Sequence, residues 1–318
     1  MPLHVVHFKH RGSAQWGVIR NGVITPVPDA FATTGAFLQA NSIDALYRLS
    51  GPTLRETEIE ILSPVTGNQQ FLCQGANYRQ HMIESGVNPD AKTFNMIFTK
   101  APSCIVPAHS DVVRPRRVRF LDYEIELGLV LMCDMSSGQS VTNASLHKFV
   151  AGAVIVNDYS ARDIQIPEMQ FYKGKSFRTF GPVGPYLCLL EPDDFNRLAE
   201  LRLTLTVNGA VRQSDRIANL VHGPAETLTE LSAVHDLYAG DLLSTGTPAG
   251  CALSVPSPAK QRIFALLPEK LKWKMFMNIQ GRRSQYLKPG DIVESRIATA
   301  DGSIDLGVQR NRIVDAAE

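Results

Sequence analysis

A strand-dominated α+β fold is what this chain predicts, and three observations carry the prediction. Short apolar runs of strand length recur beyond residue 65, a single helix-like stretch precedes it, and no apolar run approaches the roughly 18 residues of a membrane span. The strand candidates lie at 70–75, 96–100, 123–132, 150–157, 183–190, 201–207, 241–245 and 291–297. Before them, residues 3–28 alternate apolar runs with turn residues. Asn21-Gly22 between β-rich runs predicts a tight hairpin, because the favoured hairpin turn needs positive φ at both central positions. A helix-like stretch at 36–49 and a strand at 59–64 closed by Pro64 follow. These features predict a small β-rich N-terminal domain over 1–65 and a larger domain over 66–318.

Later, Gly240-Asp241 and Gly290-Asp291 each form a turn that launches an apolar strand; two copies of a turn do not make a repeat. Between them, residues 257–281 set Ile263, Phe264, Leu267, Leu271, Trp273 and Phe276 at helical spacing among basic side chains. The expectation is an amphipathic helix broken at Pro268, packing on the body or on a second subunit, with a lid as the lesser alternative.

Composition narrows the function classes. With 318 residues, 44% of them hydrophobic, and a net charge of +1, the chain can bury a substantial core but lacks the basic excess that drives nucleic-acid binding. The run Arg114, Arg116, Arg117, Arg119 is too short to restore it and reads as a solvated loop. The first residues lack a secretory signal pattern, so the expected location is cytoplasmic. The 5 cysteines, Cys73, Cys104, Cys133, Cys188 and Cys251, contain no C-x-x-C pair and read as reduced core residues.

The chemistry concentrates at Leu121–Met132. On a strand, Glu124 and Glu126 project from one side while Ile125, Leu127, Leu129 and Leu131 pack the other. Two like charges on one face repel unless something positive lies between them, and a hard divalent cation suits carboxylate oxygens. A third acid, Asp158, stands where the apolar run 150–156 ends. Taken alone, these residues also fit an exposed edge and a helix cap.

The surrounding motifs alter that balance. Gln74-Gly75-Ala76-Asn77-Tyr78 with His81 and Glu84, Asp158-Tyr159-Ser160 with Arg162 and Gln165, Gly174-Lys175-Ser176-Phe177 with Gly181-Pro182, and Thr245-Gly246-Thr247-Pro248 occur in this order. Together, from about residue 70 to the C-terminus, they resemble the fumarylacetoacetate hydrolase family. The resemblance implies a mixed β-roll catalytic domain and a homodimer. It further implies Glu124, Glu126 and Asp158 as ligands of Mg²⁺ or Mn²⁺, with Ca²⁺ as an in vitro substitute. His81 and Glu84 become the water-activating pair, Lys175 a catalytic lysine, and Tyr78, Arg162, Gln165 and Thr247 substrate contacts. An i, i+3 spacing on a helix lets Glu84 reach His81; a plain surface pair has the same spacing.

The activity so implied is metal-dependent hydrolysis of a carbon–carbon bond in a small acylpyruvate or β-diketo acid. Decarboxylation of oxaloacetate and isomerisation of the 2-hydroxyhepta-2,4-diene-1,7-dioate type remain open alternatives, as does a non-catalytic metal-binding scaffold. A phosphate-binding loop at Gly174-Lys175-Ser176 fails because position 169 is Met169, and no G-x-S-x-G or H-E-x-x-H occurs. Two departures from the compact family pattern stand out: Arg178 where aspartate is common, and the long 251–286 segment.

Overall fold

A computed structural model describes residues 2–84, 88–91, 94–254 and 267–317. The fold is α+β. Its largest element is a 13-stranded mixed sheet, accompanied by a 5-stranded sheet and a 2-stranded ribbon.

At the centre of the large sheet, Ile125–Leu131 and Val150–Asn157 run antiparallel, with Leu242–Ser244 on the far side of the first strand. Phe71–Gly75 joins Leu242–Ser244 in parallel, and Met96–Lys100 closes that edge against Phe71–Gly75. The two central strands are buried along their whole length, so alternation divides them between two cores rather than between core and water. Ile125, Leu127, Leu129 and Leu131 join Ala153 and Ile155 in the larger cluster, whereas Val130 joins Val154 and Val156 in the second.

The N-terminal hairpin forms as its sequence requires: Ser13–Arg20 pairs with Val23–Pro26, and Asn21 and Gly22 both have positive φ, 52° and 73°. Leu3–His10 then pairs with Leu187–Leu189, so the N-terminal strands extend the central sheet. The boundary expected near residue 65 therefore falls between Glu60–Ile61 and Phe71–Gly75, two strands of one sheet. The helical stretch expected at 36–49 is two short helices, Thr34–Ala40 and Ile43–Tyr47; Ser42 caps the second by accepting from Ala45 N.

Of the amphipathic segment, residues 255–266, including Ile263 and Phe264, lie outside the described residues. The rest forms the helix Glu269–Gln280, which starts directly after Pro268. It packs on the body through Phe276 and Met277, and its Gln280 is bonded to Ser254 O and Tyr286 Oη. The cysteines are free thiols, four of them buried and Cys133 half-buried. Among the described residues, no helix is long and apolar enough to cross a membrane.

Candidate active site

The register of one strand pair assembles the acids. Ile125 faces Asn157 and Glu126 faces Val156, so the next pair outward is Glu124 with Asp158, and Asp158 N donates to Glu124 O at 2.8 Å. Glu124, Glu126 and Asp158 are all buried, and each offers an oxygen within 4.8 Å of the other two. The sequence placed Glu124 and Glu126 together by alternation; antiparallel pairing adds Asp158 to the same face.

Three buried cations grip this cluster. Lys175 Nζ donates to Glu124 Oε2 at 2.6 Å and to Asp158 Oδ2 at 2.5 Å. Lys100 Nζ donates to Asp158 Oδ1 at 2.5 Å and to Phe180 O at 2.7 Å. Arg162 binds Glu124 through Nη2, Asp122 Oδ2 through Nε at 2.8 Å, and Gln165 Oε1 through Nη1 at 2.8 Å. Lys175 reaches this point from the end of the short helix Phe171–Lys175, which lies close on Arg162–Glu168. A Cβ at Gly174 would meet Gln165 Cβ at 2.8 Å, so glycine permits the approach.

Glu126 is held differently. Among the described residues its donors are neutral, Ser244 Oγ at 2.5 Å and Gly246 N at 3.0 Å. Gly246 has a φ of +89°, a backbone state that glycine adopts freely.

Burial would raise the Glu124 carboxyl, but Arg162 and Lys175 outweigh it and hold the group below the usual carboxylate range. Burial pushes Glu126 up to about 8, and the charges of Asp158 and Glu124 reinforce this. For Lys175, burial acts downward, but Asp158 and Glu124 prevail and keep it firmly protonated. A buried acid that no cation contacts among the described residues, beside two others, fits a hard divalent cation bound by carboxylate oxygens.

A cavity of about 230 Å³ opens onto this cluster. His81, Glu124, Glu126, Arg162, Gln165, Lys175 and Thr247 all contribute to its wall. Burial lowers the His81 pKa despite the opposing charge of Glu124, so the imidazole is neutral near pH 7 and able to accept a proton.

Glu84 and Tyr78 lie elsewhere. Glu84 is exposed at the end of the helix Arg79–Glu84, and Gln80 Nε2 donates to it at 3.4 Å; no described hydrogen bond joins it to His81. Tyr78 is fully buried in the larger core, bridged to Leu220 and outside the described cavity wall. Thr247 Oγ1 donates to Ile125 O and accepts from Gln213 Nε2, each at 2.9 Å, which fixes the strand end that carries Glu124. Arg178, the sequence departure noted above, is exposed.

Two members of the cluster escaped the sequence reading. Asp122 shares the parity of Glu124 and Glu126, and it also accepts from Ala252 N at 2.7 Å and Leu253 N at 2.9 Å, tying down the loop after Gly250. Lys100 ends an apolar strand on the same face as Met96 and Phe98, a parity that marks an inward lysine.

A cluster of acids and cations buried at the floor of a small cavity defines an enzyme rather than a macromolecular docking surface. The chain belongs to the fumarylacetoacetate hydrolase family: the family model for the fumarylacetoacetate (FAA) hydrolase C-terminal domain matches residues 70–314. It is 34% identical to oxaloacetate tautomerase YisK of Bacillus subtilis over 205 residues, 64% of this chain and 66% of that protein. The chain thus spans just under two thirds of that relative's length. It is 33% identical to a 2,4-didehydro-3-deoxy-L-rhamnonate hydrolase of Sphingomonas sp., covering 79% of this chain and 75% of that one. In three dimensions it resembles the fumarylacetoacetate hydrolase of Exiguobacterium antarcticum, with a TM-score of 0.75 and 27% identity over 99% of this chain and 100% of that one.

Proposed function

We propose that this enzyme hydrolyses a carbon–carbon bond in a small acylpyruvate or related β-diketo acid, with a divalent cation, Mg²⁺ or Mn²⁺, held by Glu124, Glu126 and Asp158. The observation that carries the reading is the convergence of these three buried carboxylates on one another, with Glu124, Glu126 and a neutral histidine in the wall of one cavity. When bound, the cation would supply Lewis-acid polarisation of the keto acid's carbonyl oxygen.

His81 takes a proton from water, and the resulting hydroxide adds to the distal carbonyl carbon. The bond between that carbon and its neighbour then breaks, its electron pair stays on the pyruvate-side carbon, and a proton completes that product. Lys175, kept charged by Asp158 and Glu124, stabilises the negative charge and is a poor source of the proton. His81, protonated in the first step, is the group able to return one. Arg162 and Gln165, already locked to Asp122 and Glu124 or to each other, fix the wall.

Tautomerisation of a keto diacid is the second reading. It is favoured by the names of relatives and by a His81 that can move a proton without water. Purified protein incubated with acylpyruvates, fumarylpyruvate and oxaloacetate, with and without Mg²⁺ or Mn²⁺, separates the two. Acylpyruvate cleavage that stops with EDTA supports hydrolysis; enol–keto exchange of oxaloacetate without cleavage of any acylpyruvate overturns it.

A further inference from the structure

The cavity has two unlike parts. One is the acid and cation floor; the rest of its wall is largely apolar and includes Met96, Phe98, Ile166, Phe171 and Leu253. One strand feeds both parts, because alternation sends Met96, Phe98 and Lys100 to the same face: the first two line the cavity and the third reaches Asp158. Phe98 sits at the join, with Lys175 Nζ 5.1 Å from its ring centroid and Phe171 packed edge-on at 4.9 Å.

A second carboxylate on the substrate has no described partner here. Arg162 is bonded to Asp122 and Glu124, and Lys175 to Glu124 and Asp158. Gln74, also in the wall, gives its Nε2 to Asn95 and Thr227, so its amide donor is already engaged, and its buried carbonyl oxygen has no partner among the described residues. The formal charges agree. Asp122, Glu124, Glu126 and Asp158 face Lys100, Arg162 and Lys175, one negative charge in excess; a divalent cation turns this to one positive, and a single substrate carboxylate neutralises it.

We propose that the chain selects 2-keto acids whose far end is uncharged and apolar, an alkyl or aryl tail laid on Met96, Phe98 and Phe171, and discriminates against keto diacids. The proposal rests on the keto-acid reading above, and the test keeps the two apart. Binding is measured by calorimetry with saturating Mn²⁺ for oxalate, which has the chelating head alone, for pyruvate and 2-oxohexanoate, and for 2-oxoadipate, which carries a carboxylate where 2-oxohexanoate ends in methyl. Tail burial predicts about fourfold tighter binding per added methylene, and 2-oxohexanoate at least tenfold tighter than 2-oxoadipate. In Met96→Ala, the affinity of 2-oxohexanoate relative to oxalate falls; in Met96→Arg, the order of 2-oxohexanoate and 2-oxoadipate reverses. Should either variant misfold, the ligand series on the unaltered protein decides alone. Oxalate that binds while 2-oxoadipate equals or exceeds 2-oxohexanoate overturns the tail proposal. Oxalate that fails to bind overturns the keto-acid reading, and this proposal with it.

Discussion

The acid cluster and the helix that carries His81 lie on the same cavity but are built to opposite standards. Glu126 lies in a strand buried on both faces, Glu124 directly precedes that strand and Asp158 directly follows its equally buried neighbour, and each carboxylate accepts at least two hydrogen bonds. Arg79–Glu84 is a six-residue helix with Met82 as its one buried residue, exposed Gln80 and Glu84 on its surface, and His81 turned to the cavity. Oxygen ligands must converge within a few tenths of an ångström, and a rigid sheet provides that; a proton acceptor tolerates, and substrate entry requires, a lightly held element.

The largest effect should come from breaking the rigid part. Glu126→Ala removes the acid that no described cation contacts, and activity should fall by about 10³-fold or more, beyond the roughly 10–100-fold typical of losing a mere supporting partner. Initial rates across a Mg²⁺ titration check it; activity restored by excess metal would weaken the case for Glu126 as a ligand. On the lightly held element, His81→Ala should lower kcat by about 10²–10⁴-fold while metal affinity stays within about twofold, if His81 acts, as proposed, as a base and not as a ligand. Calorimetry with Mn²⁺ beside the kinetics shows whether the two regions separate in this way.

Lys100→Met tests how far the cluster depends on its buried cations. Removing one partner from a fully buried pair leaves Asp158 short of compensation, and the metal-free protein should lose about 3–5 kcal/mol in urea unfolding. Saturating Mg²⁺ should recover part of that loss. Equal loss with and without metal would show that Lys100 supports packing alone.

Much of the rigid part was legible because its causes are local. Alternation places Glu124 with Glu126, and the end of an apolar run marks Asp158. Most of the expected strands formed, Met96–Lys100 and Val150–Asn157 with the expected limits. Asp122 and Lys100 escaped because their partners are distant in sequence: Arg162 lies 40 residues from Asp122, and Asp158 lies 58 from Lys100. Only strand order brings them together. The His81–Glu84 spacing, by contrast, permits a contact without requiring one, because a short surface helix does not fix rotamers. Tyr78 likewise read as a site residue from its motif, yet its side chain is part of the core.

The pH dependence of metal-free stability separates the acids further. A carboxyl raised to about 8 in the fold favours its protonated form, so the contribution of Glu126 is full below its ordinary value of 4.5 and is lost as pH rises through about 8. Glu124, depressed in the fold, contributes above 4.5 and loses that contribution as pH falls further. From these two acids, unfolding in EDTA should therefore be hardest near pH 4.5 and progressively easier up to about pH 8, and Mg²⁺ should remove the alkaline loss. Metal binding at about pH 7 should also release close to one proton, which calorimetry in buffers of different ionisation enthalpy reads directly.

The smallest effect belongs to Glu84, and it decides how the lightly held element works. Glu84 reaches His81 through its charge, which raises the imidazole pKa, and not through a described hydrogen bond. An exposed interaction of that kind is weak, about 1 kcal/mol or less, so Glu84→Gln should change kcat/KM by no more than about fivefold. The sign is fixed: losing the negative charge lowers the His81 pKa further below its ordinary 6.5, and the acid limb of the pH–rate profile moves to lower pH. A loss of 10²-fold or more, with the limb displaced much further to lower pH, would mean that Glu84 swings in to bond His81 when substrate binds. The short helix would then be a moving part of the catalytic apparatus, and its thin packing a requirement of that motion.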